Sequence, residues 1–239
     1  MRKMYLSAPL PFVGQKRMLA KEFMKVLEQY PDGTLFVDLF GGSGLLSHIT
    51  KSLKPHSTVI YNDFDNYRFR MKHIPQTNQL LADIREMVGN SVPRHKIIKG
   101  ELRERIFSRI EQEENSTGYV DFITLSSSIL FSMKYKLSVQ DMRKEALYNN
   151  IRKTGYPECT DYLEGLEIVS CDYKEVFNRY KDIPGVVFLV DPPYLSTDVG
   201  TYNMYWNMAD YLDVLNVLKG HSYVYFTSNK SSILSCANG

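Results

Sequence analysis

Apolar positions recur along this chain in two distinct rhythms. Short runs at 35–40, 58–61, 166–170, 185–190 and 222–228 are rich in β-branched and aromatic residues and carry almost no polar break. Such runs predict strands buried on both faces of a parallel sheet. Between them lie segments with helical spacing: Leu19, Phe23, Val26 and Leu27 fall on one face of a first helix, and further helices are predicted at 45–53, 173–180 and 209–219. Strand and helix alternate, which predicts an α/β, Rossmann-like doubly wound sheet. The alternation breaks once. From 66 to 164 glycines are few, charge-rich helical stretches such as GELRERIFSRIEQEE dominate, and 122–133 predicts an inner helix of a helical subdomain inserted after the second strand. The chain therefore divides into a discontinuous domain, 1–65 with 165–239, and a helical insertion, 66–164.

The ends of the predicted strands carry the candidate chemistry. After 185–190 come Asp191, Pro192, Pro193 and Tyr194. Two prolines permit neither a ladder nor a helix, so a carboxylate and an aromatic ring sit on a stiff loop at the C-terminal edge of a strand, where open α/β sheets bind ligands. An aromatic amine is a poor nucleophile because its lone pair is delocalised. Asp191 and the Pro192 carbonyl could accept from its two N–H groups and localise that pair, with Tyr194 as a stacking face. Read alone, the tetrad is either such a site or a rigid turn.

After 35–40 comes Gly41-Gly42-Ser43-Gly44, a tight turn opening a helix, where a ligand can approach the backbone. It is neither the dinucleotide pattern GxGxxG nor a phosphate-binding P-loop. About 20 residues on, Asp63 follows the second strand, placed to accept the two ribose hydroxyls of an adenosine-type cofactor. Asp172, after the strand at 166–170, is suited to accept from the cofactor's adenine amino group. Gly14, Lys16 and Arg17 open the first helix, where a carboxylate or phosphate could be held, although exposed basic residues are commonly only solvated.

Composition narrows the class. With 239 residues, 44% hydrophobic and 23% charged, the chain is an ordinary globular protein, and a net charge of +2 diagnoses no partner. Any nucleic-acid surface must be local; Arg94, Lys96, Lys99, Arg103, Arg105, Arg109, Lys134, Lys136, Arg143, Lys144, Arg152 and Lys153, interleaved with Tyr135, Tyr148 and Tyr156, supply one candidate. Cys159, Cys171 and Cys236 form no CxxC pair, which argues against a disulfide framework and a zinc site and suits a reducing cytoplasm. No run approaches the roughly 20 apolar residues of a membrane span, so no membrane partner is expected.

Four motifs in order, Pro11-Phe12-Val13-Gly14-Gln15-Lys16, Asp38-Leu39-Phe40-Gly41-Gly42-Ser43-Gly44, Asp63 and Asp191-Pro192-Pro193-Tyr194, resemble the D12 class (Dam-like) of adenine-specific DNA methyltransferases. The resemblance implies a class I methyltransferase fold, S-adenosylmethionine as cofactor, double-stranded DNA as partner, a bacterial or phage-infected host, and in some systems a companion restriction endonuclease. It implies that Asp191 to Tyr194 hold a flipped adenine. Phe12, Gly14, Lys16, Asp38, Phe40, Gly41, Gly42, Ser43, Gly44, Asp63, Asp172 and Tyr173 would bind the cofactor, with Lys16 on its methionine carboxylate, no metal being needed. The insertion would be the target-recognition domain. Two departures stand out: the stretch SSSILFSMKYKLSVQDMRKEALYNNIRKTGYP lacks the family's Asn- and Arg-rich series, and the chain ends where the family continues through a helix and a terminal β-hairpin. A methyltransferase for a protein amide or small molecule, and a silent DNA-binding remnant, are the alternative readings.

Overall fold

The computed structural model describes residues 3–131, 135–193 and 208–226, with the backbone of 233–236. A 3-10 turn (Arg17–Leu19) leads into α1 (Ala20–Glu28), and β1 (Phe36–Asp38), α2 (Leu45–Leu53) and β2 (Val59–Asn62) form a βαβ unit. A helical segment follows: α3 (Tyr67–Lys72), α4 (Ile74–Val88), α5 (Gly100–Thr117), α6 (Phe122–Ile129) and α7 (Val139–Arg143), with a small antiparallel ribbon of β3 (Ile97–Ile98) and β4 (Leu147–Tyr148). The chain returns through β5 (Glu167–Val169), α8 (Tyr173–Tyr180), β6 (Val187–Val190), α9 (Met208–Leu218), β7 (Ser222–Phe226) and β8 (Ile233–Cys236).

The strands form one sheet in the order β5-β2-β1-β6-β7-β8. Every pairing is parallel except β7 with β8. This is the expected doubly wound sheet with helices inserted after its second strand; the antiparallel β8 is an addition that the apolar pattern did not predict. The strand order reverses between β1 and β6, and such a reversal opens a crevice beyond the carboxyl ends of the two strands.

Unbroken apolar strands follow from burial on both faces. Along β6, Val187 and Leu189 join Phe23, Leu27 and Ile49 of α1 and α2 on one face, while Phe188 and Val190 join Val176, Phe177 and Val214 of α8 and α9 on the other. The insertion has its own core, in which Ile84, Ile106, Phe107, Leu125 and Met142 are closed from water together with Leu10 and Tyr67. The N-terminal arm is thus anchored on the insertion. His48 of α2 ties the same parts together: fully buried, it receives the Tyr5 N–H at Nε2 (2.9 Å), lies 2.7 Å from the Tyr162 carbonyl through Nδ1 and stacks on the Tyr162 ring.

One predicted helix is shorter than expected. α6 ends at Ile129, with Leu130 extended, instead of running through 122–133. Ser126, Ser127 and Ser128 donate their hydroxyls to the carbonyls of Ile123, Thr124 and Thr124, the kind of back-bonding that weakens a helix. Among the described residues no helix is long and apolar enough to cross a membrane.

Candidate active site

The two chemically suggestive loops leave the carboxyl ends of neighbouring parallel strands. Phe36, Val37 and Asp38 pair with Val187, Phe188 and Leu189, and Leu39 N–H donates to the Leu189 carbonyl (3.0 Å). The glycine turn after β1 and the Asp191 loop after β6 therefore start about one strand spacing apart, roughly 4.8 Å. Both open onto one cavity of about 400 Å3, inside the usual size range of small-molecule sites.

The glycine turn is held from behind by two tyrosines. Tyr61 OH lies 2.8 Å from the Gly42 carbonyl and Tyr162 OH donates to the Ser43 carbonyl (3.1 Å). The N–H groups of Gly41, Gly42 and Ser43 have no acceptor among the described residues, and all three residues line the cavity. Side chains are excluded by crowding: a Cβ on Gly41 would meet the Tyr61 ring at 2.3 Å, and Gly42, at φ +48°, would meet Phe12 at 2.9 Å. A turn at a cavity wall with carbonyls tied back and N–H donors unspent suits an anionic or acceptor-rich ligand. The donor set fits the methionine carboxylate of an S-adenosyl cofactor, and the tilted Phe40–Tyr173 ring pair on the wall, centroids 4.9 Å apart, fits its base.

Asp191 is a half-buried charge of the site, its side chain 16% exposed, and the buried Lys16 Nζ stands 2.6 Å from its Oδ1. Lys16 also donates to the Gly14 carbonyl (2.8 Å). Burial pushes the Asp191 carboxyl up to about 6, against the pull of the Lys16 ammonium. Beneath the turn, Asp38 is closed from solvent and pushed up to about 7, first by burial and then by the charge of Asp191. A hydrogen bond from Ser47 Oγ (2.7 Å) opposes the shift.

Most of the residues expected to form the site meet at this cavity. Phe12, Gly14 and Lys16 line it from the arm, Phe40, Gly41, Gly42 and Ser43 from the turn, Asp172 and Tyr173 from the start of α8, and Asp191, Pro192 and Pro193 from the β6 loop. Three do not reach its wall. Asp38 lies below it, Gly44 is the left-handed N-cap of α2, and Asp63 is buried with its carboxylate engaged by the N–H groups of Tyr67 (2.6 Å) and Arg68 (3.1 Å). Tyr194 lies outside the described residues. Asp172 spends Oδ1 on capping α8 through Lys174 N–H (2.8 Å).

Other residues reach the wall that the sequence reading passed over: Phe64, Asp65 and Asn66 after β2, Arg70 of α3, and Ile123 and Leu137 of the insertion. A signal existed for the first of these, since a phenylalanine between two aspartates just past a buried strand has no core to join. The insertion's cations differ most from expectation. Arg103, Arg109, Lys136, Arg143 and Lys144 are committed to ion pairs with Glu104, Asp83 and Glu113, Glu145, Glu104 and Glu111, and Asp141. Arg94 bonds to the Ile151 carbonyl, Arg152 lies over the Tyr156 ring, and Lys134 is outside the described residues. Acidic residues, most of them on other elements of the insertion, took up charges that a count of cations leaves open.

A family profile described as "D12 class N6 adenine-specific DNA methyltransferase" matches residues 12–220. The chain belongs to this family. The match spans the end of the arm from Phe12, the glycine turn, the whole insertion and the Asp-Pro-Pro-Tyr sequence of this methyltransferase. A Haemophilus influenzae protein described as "Putative methyltransferase" is 38% identical over 243 residues, covering 99% of this chain and 81% of that protein.

Proposed function

We propose that this methyltransferase transfers a methyl group from S-adenosylmethionine to the exocyclic N6 amine of an adenine turned out of duplex DNA. The observation that carries the reading is the opening of the glycine turn and the Asp191-Pro192-Pro193 loop, from adjacent strand ends, onto the same cavity. S-adenosylmethionine would supply an electrophilic methyl group there. The free N–H groups of Gly41 to Ser43 would hold its carboxylate end, and Asp172 and Tyr173 its base. Asp191, ionised, accepts from one amine N–H of the target and the Pro192 carbonyl from the other, fixing the nitrogen lone pair in one direction. Pro193 stiffens the loop so that neither acceptor must reorganise, and Lys16 keeps Asp191 charged against its burial. Tyr194 is the proposed stacking face for the extruded base, whose unstacking costs a few kcal/mol.

Residues 1–65 and 165–239 would carry out transfer and 66–164 would bind duplex DNA. Lys96, Lys99, Arg105 and Lys153, exposed and without a charged partner among the described residues, are the phosphate contacts most open to it. The test supplies labelled S-adenosylmethionine and duplex DNA to wild type and to Asp191→Ala, then digests the DNA to nucleosides. Label in N6-methyl-2′-deoxyadenosine from wild type alone is the expected result; equal label from both would remove Asp191 from the reaction, and label only in protein would move the substrate class.

A further inference from the structure

Lys16 and Arg17 are neighbours in the chain, and the structure gives them opposite surroundings. Lys16 is 8% exposed and lines the cavity, its ammonium against Asp191. Arg17 opens the 3-10 turn that follows. That turn leaves Arg17 and Met18 in solvent, Met18 83% exposed, while Leu19 and Ala20 join the core beneath α1 and α2. The Arg17 side chain makes no hydrogen bond or ion pair with a described residue. Across from it lies the insertion. Burial raises the Tyr135 hydroxyl, and the positive charges of Arg70 and Arg17 pull it back, which places both guanidinium groups near that half-buried ring. Two residues further on, Leu137 is exposed and lines the cavity. Arg17 therefore marks the rim where the arm meets the insertion, one residue from the Lys16–Asp191 pair.

We propose that Arg17 binds a phosphate beside the extruded nucleotide, an inference that rests on the substrate reading given above. An adenine whose amine reaches Asp191 is tied through its sugar to two phosphates that stay outside the cavity, at its rim. Arg109, Lys136 and Arg143 of the insertion would have to leave acidic partners to meet them; Arg17 has none to leave among the described residues. A guanidinium offers two parallel N–H donors to two phosphate oxygens, a charge-assisted pairing. Those phosphates are drawn to the rim as the nucleotide turns out, so the bond favours the extruded state over the first duplex complex. Arg17 is thus a positioning residue, remote from the reacting atoms.

The test uses duplexes built around an adenine that wild type methylates, with each flanking phosphate replaced in turn by an uncharged methylphosphonate, and reads single-turnover methyl transfer. On the unmodified duplex Arg17→Gln should be slower than wild type by about 10-fold, as expected for a lost bond to a charged group, with an unchanged melting temperature. Arg17→Lys should recover part of the rate. One neutral linkage should slow wild type by a similar factor and leave Arg17→Gln no slower than it already is. With 2-aminopurine at the target position, the fluorescence rise that reports extrusion should fall in Arg17→Gln. A wild-type rate in Arg17→Gln, or losses from substitution and linkage that multiply at both phosphates, overturns this inference alone. Failure of wild type to methylate any DNA adenine overturns the substrate reading and this inference together.

Discussion

Burial forces opposite demands on Asp191. In the proposed mechanism it is ionised to accept from an amine, yet its surroundings raise its carboxyl to about 6, and Lys16 is the group that pulls it back. Methyl transfer should therefore fall on the acid side with an ionisation near 6. Lys16→Met should move that limb to higher pH, as single-turnover rates across a pH series would show; a limb that stays put would detach Lys16 from Asp191. Asp38 poses a stability question instead. Its carboxyl stands near 7 in the folded chain against 3.8 ordinarily, so the folded state binds the proton more tightly. The resulting stabilisation is complete below the ordinary value and is lost as pH rises through 7. Asp38→Asn cannot ionise, and its stability relative to wild type should improve between about pH 5 and about pH 8 by a few kcal/mol, read from urea midpoints.

Elements are positioned at this site by side chains that an apolar pattern does not reveal. Asn62, the last residue of β2 and 1% exposed, donates through Nδ2 to the carbonyls of Leu39 and Cys171 and accepts the Cys171 N–H, so it ties the loops after β1 and β5 together. Asn62→Ala strands three backbone groups and should cost about 3 kcal/mol or more, measurable by chemical denaturation. It should also impair cofactor binding, since both loops line the cavity. Helices α2 and α8 and the five parallel strands were legible because their apolar periods are unbroken. The pairing of Lys16 with Asp191 was not legible, nor was the capture of Asp63 by the α3 backbone, because both depend on how distant or reversing segments meet in space. The residue types and order of the site were readable; the assignment of partners among them was not.

At the scale of the molecule, the insertion and the N-terminal arm are clamped by one buried cation. Arg70 Nε lies 3.2 Å from both oxygens of Asp121 at the start of α6, and Nη2 donates to the Pro11 carbonyl (2.9 Å) and to Thr124 Oγ1 (3.1 Å). Arg70→Met leaves the Asp121 carboxylate, 4% exposed, without its counter-charge and should cost about 3–5 kcal/mol. Adding Asp121→Asn should recover part of that loss, because the uncompensated charge disappears. Equal destabilisation in the single and double variants would mean that packing, and not charge, holds the clamp. A DNA-binding role for the insertion then rests on a rigid scaffold and few open cations, which predicts a shallow salt dependence relative to the number of lysines and arginines it contains.

The antiparallel pairing of Tyr223 to Phe226 with Ile233 to Cys236 covers the outer side of β7 and makes β8 the last strand of the sheet. Stripped of that cover, the amides and carbonyls of Ser222–Phe226 would face water as a template for any passing chain. A version shortened to residue 230 should accordingly elute earlier than the full chain on a sizing column at matched concentration, because its neighbours would supply the missing strand.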